Sequence, residues 1–203
     1  IGVNIGQPHL RKNIAGMLEA YGRAFTSKDD VCLLAKISKS KQKQYYDVDI
    51  QKIFTMFKAK YKSHAAIELI TEYVPNITEF YNVCDIVYTL SFSEGFYLPG
   101  LEALACSKIN IAPRYGGQLD FLSDYNSVLV DGKMIRADTK MQYLLPDIQN
   151  TVFDSNLNDA AAKLKHTVDN YDELRSKFAP EMKRVAETFT WENTVEKIMK
   201  LVK

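Results

Sequence analysis

The 203 residues include only three cysteines, three histidines and one tryptophan. Cys32, Cys84 and Cys106 are odd in number, far apart and set in apolar stretches. They argue against a disulfide framework and for buried thiols in a reducing, cytoplasmic compartment. No Cys/His spacing suits zinc. Charge of one sign is just as scarce. Lys and Arg total 26 against 25 Asp and Glu, a net +1, which gives no reason to expect nucleic acid or an anionic membrane as a general partner. No apolar run approaches the ~18–20 residues of a membrane span, and no internal repeat is present. What remains, at 46% hydrophobic residues, is the composition of a globular domain with one sizeable core.

Apolar runs of strand length alternate with helical stripes, as a parallel sheet requires. A first strand over 1–5 is followed by a helix with Ile14, Met17, Leu18, Tyr21 and Phe25 on one stripe. Residues 31–37 read as the second strand, and Ile50, Ile53, Phe54 and Phe57 mark the next helix. Residues 65–70 read as the third strand. Asn76 is placed to cap the helix that follows, with Glu79 three residues on. Residues 85–91 and 109–112 are the fourth and fifth strands. From about 157 to 203 the chain is helical, with Trp191, Val195, Ile198 and Val202 on one face of the last helix. Periodicity is weak from 131 to 154. The expected fold class is α/β, a Rossmann-like parallel sheet with helices on both faces.

The most informative stretch runs Ser93-Glu94-Gly95-Phe96-Tyr97-Leu98-Pro99-Gly100-Leu101-Glu102. It leaves the fourth strand and opens an apolar helix whose first turn suits Pro99, because that turn has no use for its missing N–H. Glu94 is therefore expected on the strand-to-helix turn and Glu102 about one turn inside the helix. In an open α/β sheet that turn lies where ligands bind, and the free N–H groups of a helix start attract anions. A carboxylate beside a phosphate site repels the ligand unless it accepts from hydroxyls, and a sugar diol donates two such charge-assisted bonds. The pattern suits a sugar-bearing diphosphate. The plainer alternative makes Glu94 a helix cap and Glu102 a solvated helix residue.

This stretch resembles the Glu-x7-Glu signature of retaining glycosyltransferases of the GT-B fold, the family 4-like group 1 enzymes. Three other segments carry the resemblance further. Arg114-Tyr115-Gly116-Gly117-Gln118-Leu119-Asp120-Phe121-Leu122, with 126–130 after it, looks like the family's next strand, glycine turn and following loop. Arg11-Lys12-Asn13-Ile14 looks like its basic phosphate corner, heading the first helix. Phe189-Thr190-Trp191-Glu192 resembles the start of its terminal helix.

The resemblance implies that residues 1–203 are the nucleotide-sugar donor domain of a two-domain enzyme, and that the N-terminal acceptor domain of the same parent protein is absent. A chain opening inside a strand at Ile1 points the same way. It implies transfer from a nucleoside-diphosphate sugar to an acceptor hydroxyl, with retention and with no metal or other cofactor. Glu102 would hold the ribose hydroxyls and Glu94 those of the donor sugar. Lys12, with Arg11, would neutralise the diphosphate, helped by N–H groups of Gly95, Phe96, Tyr97 and Leu98 and by the loop at Gly6. The base would lie against Val74 in the Tyr73-Val74-Pro75 turn. The family usually places an arginine five residues before its lysine, where this chain has Gln7. Arg11 either supplies that charge or is a solvated helix residue.

Asp47-Val48-Asp49 imitates a metal-binding Asp-x-Asp, but one of the two aspartates as helix N-cap explains it better. His9 reads as a loop residue. Two rivals belong to other classes. One is a nucleotide-sugar-binding module without chemistry, or a degenerate relative. The other is a receiver-type α/β domain, which would need an acidic cluster after the first strand where Ile5-Gly6-Gln7-Pro8 stands.

Overall fold

The computed structural model describes residues 1–6, 9–38, 49–137 and 151–202. Gln7, Asp47, the polar 39–44 run, Tyr45, Tyr46 and the middle of the 131–154 stretch lie outside the described residues. Six strands form one parallel sheet: β1 (Gly2–Gly6), β2 (Cys32–Ile37), β3 (Ala66–Ile70), β4 (Ile86–Tyr88), β5 (Ile109–Pro113) and β6 (Ser127–Val130). Their order is β3-β2-β1-β4-β5-β6. The helices that join or follow them are α1 (Ile14–Ala24), α2 (Ile50–Lys60), α3 (Ile77–Asn82), α4 (Leu98–Ala105), α5 (Leu157–Asp169), α6 (Tyr171–Thr188) and α7 (Trp191–Leu201).

Both faces of the sheet are covered, as parallel strands demand. On one face Ile14, Met17, Leu18 and Tyr21 of α1 and Phe54 and Phe57 of α2 pack against Val3, Leu33, Tyr88 and Ile111. On the other, Phe80 and Tyr81 of α3 meet Val87 of β4 and Ala103 of α4. Each large apolar side chain fully buried here contributes about 1.5–3 kcal/mol. Removing one such as Leu33 by substitution with alanine costs about 2–5 kcal/mol.

The helix starts are chemically set. Asn76 caps α3 by accepting from Thr78 N, and Asp49 caps α2 by accepting from Lys52 N at 3.0 Å. No described helix is long and apolar enough to cross a membrane.

Two expectations change. β4 ends at Tyr88, not Ser91. Thr89 still bonds Ile111 O at 2.9 Å, but the chain then turns off the sheet. Cys32 is exposed, because β2 alternates its faces and its first residue points away from the core, while Cys84 is buried. In the stretch of weak periodicity, β7 (Gly132–Arg136) and β8 (Thr151–Ser155) pair as an antiparallel hairpin. The stripe on α7 holds as a stripe, yet Trp191, Val195, Ile198 and Val202 all lie exposed.

Candidate functional site

Strand order reverses between β1 and β4, and ligands of open α/β sheets bind at such a switch point, beyond the carboxyl ends of the strands. The segments leaving these two strands carry the predicted charged residues. After β1 comes a 3-10 turn, Leu10–Lys12, capped by His9, whose Nδ1 accepts from Arg11 N at 3.1 Å. Asn13 then adopts the left-handed region (φ 51°), a conformation asparagine tolerates better than most residues. Its Oδ1 caps α1 at Gly16 N, and its Nδ2 donates to Leu90 O at 3.0 Å, tying the start of α1 to the chain leaving β4. Arg11 and Lys12 therefore sit in this turn and do not head α1 as expected, because Asn13 is the cap and Ile14 the first helical residue.

That turn brings Arg11 and Lys12 onto Glu94. Lys12 Nζ lies 2.8 Å from Glu94 Oε1 and Arg11 Nη1 2.8 Å from Oε2. The Glu94 side chain is only 8% exposed. Burial alone would raise its pKa, but the hydrogen bond from Lys12 and the charges of Lys12 and Arg11 outweigh that and hold it below its ordinary 4.5. Arg11 does more than pair. Its guanidinium also donates to Ser93 O, and its own carbonyl accepts from Phe92 N at 2.9 Å. It thus fastens residues 92–94 in place and is not a solvated helix residue.

Glu94 does not cap α4. The cap position is Tyr97, in the left-handed region (φ 68°), and no side chain satisfies the helix start. The left-handed region costs a non-glycine residue roughly 1–2 kcal/mol. Burial of the Tyr97 ring offsets it, since the ring packs where Gly100 has no Cβ. A Cβ on Gly95 would meet open space, and Leu98 is half exposed. The Phe96 ring packs 5.2 Å from Phe121 and 6.3 Å from Phe189 and stays 38% exposed. Gly6 (φ 62°) ends β1, and Val74 is half-buried in the stretch between β3 and α3. Both lie on the same edge of the sheet as the charged groups.

The glycine turn after β5 closes over the Glu94 segment. Gly117 N donates to Glu94 O at 3.2 Å, and a Cβ on Gly117 would lie 1.9 Å from Gly95 O. Only glycine permits that approach.

Glu102, half-buried on α4, is not merely solvated. Tyr81 of α3 donates its hydroxyl to Oε2 at 2.6 Å. This partnership was missed in the sequence, which offers no local signal for it. Asn13 was missed as well, although an asparagine directly before a helical stripe is a recognisable cap signal. Among the described residues no group of three or more His, Cys, Asp or Glu is placed to hold a metal. Asp49 is occupied as a cap, and Asp47 lies outside the described residues.

These features define a doubly wound α/β domain with a cation-lined corner and two carboxylates at its switch point. The chain belongs to the glycosyl transferases group 1 family, whose profile matches residues 60–180. It is 28% identical over 126 residues to the uncharacterized glycosyltransferase MJ1178 of Methanocaldococcus jannaschii, a match covering 62% of this chain and 29% of that protein.

Among solved structures, Anabaena Alr3699/HepE in complex with UDP-glucose superposes with a TM-score of 0.72 at 12% identity, covering 99% of this chain and 48% of that one. Sucrose-phosphate synthase from Thermosynechococcus elongatus gives 0.71 at 17%, with coverage of 99% and 44%. The C-terminal domain of the group 1 glycosyl transferase LpcC from Francisella tularensis gives 0.63 at 22%, with 93% and 85%. The expected fold, a Rossmann-like domain of the GT-B kind, is the one observed. The chain spans under a third of the curated relative and about half of the first two structures.

Proposed function

We propose that this chain is the donor-binding domain of an enzyme that moves a sugar from a nucleoside-diphosphate sugar to an acceptor hydroxyl, with retention and without a metal. The observation that carries the reading is the Arg11–Lys12–Glu94 cluster at the switch point, beside an uncapped helix start. A diphosphate entering there meets Lys12, which exchanges one anionic partner for another. Glu94, released from Lys12 but still held by Arg11, then accepts from the donor sugar's hydroxyls. Glu102 accepts from the ribose, and the base lies towards Val74.

Charge grows on the leaving diphosphate as the glycosidic bond breaks, so preset cations and N–H dipoles stabilise the transition state more than the ground state. The acceptor hydroxyl comes from a further domain, in keeping with the partial coverage of the relatives. Closure of that domain excludes water from the bound donor.

Calorimetry with UDP, GDP and ADP and their glucose conjugates tests the reading. Glu102→Ala should weaken nucleoside diphosphate and nucleotide sugar together. Glu94→Ala should chiefly erase the difference between them. Equal weakening of both ligands by Glu94→Ala sinks this division of roles. Addition of EDTA should leave affinity unchanged, and a large loss would return attention to a metal.

A further inference from the structure

Glu102 is steered from another element. The Tyr81 hydroxyl reaches its Oε2 at 2.6 Å, within the short range of O–H···O⁻ bonds that are about twice as strong as neutral ones. Tyr81 is fully buried. Its ring packs edge-on against Phe80 at 5.5 Å, among Cys84, Val87 and Ala103. The backbone under it is fixed by the Asn76 cap and by Cys84 N donating to Tyr81 O at 3.0 Å. The ring therefore has little freedom to follow the carboxylate, and the carboxylate takes its orientation from the ring. Among the described residues no other hydrogen bond reaches the Glu102 carboxylate, whose backbone carbonyl accepts from Cys106 N at 3.1 Å, so Oε1 is left for a ligand.

We propose that Tyr81 is a positioning residue that locks Glu102 in the orientation presenting Oε1 to a vicinal diol, and so sets a preference for ribonucleoside over dideoxynucleoside diphosphates. The inference rests on the reading of Glu102 as the ribose carboxylate. A buried tyrosine donor suits that task. It points one oxygen while adding no positive charge that would compete with the ligand's hydroxyls or hold a stray phosphate.

The test compares the affinity of the 203-residue chain for UDP, GDP and ADP with that for their 2′,3′-dideoxy forms. The wild type should favour the ribose form of whichever nucleotide it binds. Tyr81→Phe removes one oxygen, and thermal melting confirms that it folds. It should shrink the ribo/dideoxy ratio by about 3- to 10-fold, a coupling of the size contacting residues show, with dideoxy affinity unchanged. Glu102→Asp, which draws the carboxylate back from the hydroxyl, should shrink the ratio in the same way.

Equal weakening of both forms by Tyr81→Phe would reduce Tyr81 to a packing residue and overturn the proposal. A ratio unmoved by Tyr81→Phe, in a chain whose wild type does discriminate, would overturn it and leave the Glu102 reading intact. A wild type blind to the ribose hydroxyls would overturn both.

Discussion

Glu94 and Glu102 are eight positions apart in the sequence and live in opposite electrostatic settings. Glu94 is nearly buried between two cations delivered by the turn after β1. Glu102 is half-buried and held by one neutral hydroxyl from α3. A carboxylate locked to cations has to surrender a partner before it can serve a ligand, whereas one aligned by a hydroxyl is ready beforehand. On the proposed reading, the Glu94 corner responds to an arriving diphosphate and the Glu102 corner selects a ligand by fit. The two corners also differ in what supports them. The first depends on close backbone approach, Gly117 against Gly95, and the second on a packed ring.

The largest expected break in this comparison comes from Lys12→Ala, which removes a cation from the first corner only. In the parent enzyme it should lower the transfer rate by roughly 100- to 1,000-fold, about 3–4 kcal/mol of transition-state stabilisation. The ribo/dideoxy ratio, a property of the second corner, should stay put. Steady-state kinetics joined to the calorimetric ratio measures both. A rate within a few-fold of wild type removes Lys12 from the diphosphate site.

Gly117→Ala should come next. The added Cβ runs into the Gly95 carbonyl, which is backbone and cannot swing aside, so the cost should be about 1–3 kcal/mol of stability. Denaturant unfolding reads that cost. Calorimetry should show weakened nucleotide-sugar binding with the ribose preference retained. Loss of that preference as well would mean the corners are not independent.

Arg11→Lys sharpens the roles within the first corner. One guanidinium nitrogen, Nη1, serves both Ser93 O and Glu94, and lysine keeps the charge on a shorter side chain that places its ammonium elsewhere. A drop of about 1 kcal/mol in stability, with nucleoside diphosphate affinity nearly intact, fits a fastening role. A large loss of affinity instead would make Arg11 a direct diphosphate ligand.

The smallest effect is in acid. Because the folded-state pKa of Glu94 is depressed, its pairing stabilises the fold fully above its ordinary 4.5 and loses that contribution as pH falls below it, through the folded value. Glu19, bonded to Lys60, Tyr61 and Arg23, is pushed down to about 2 and shares that window. Comparing the acid unfolding of wild type with Glu94→Gln isolates the Glu94 share. The variant should start less stable at neutral pH and lose less on acidification. Acid curves that superimpose would show that the cluster stabilises nothing.

The alternation of strands and helices, the turn at Glu94, Pro99 in the first turn of α4, the cap at Asn76 and a cap at one of Asp47 and Asp49 were all legible in the sequence. Each depends on residues a few positions apart, through hydrophobic period, φ preference or a side chain reaching its own backbone. The same holds for the strand-turn-helix setting of the two glutamates, which marked the place of the site.

Their partners were not legible. Lys12 meets Glu94, and Arg11 meets Ser93, across 82 residues only because β1 and β4 are neighbours and a 3-10 turn under Asn13 aims both side chains. Tyr81 finds Glu102 only because α3 and α4 share one face of the sheet. The β7–β8 pairing, the outward turn of Cys32 and the exposed stripe of α7 were decided in the same way. Pairing between distant segments follows from which strands lie side by side and which surfaces remain to cover them. No local periodicity encodes that choice, because it is made by the packing of the whole sheet.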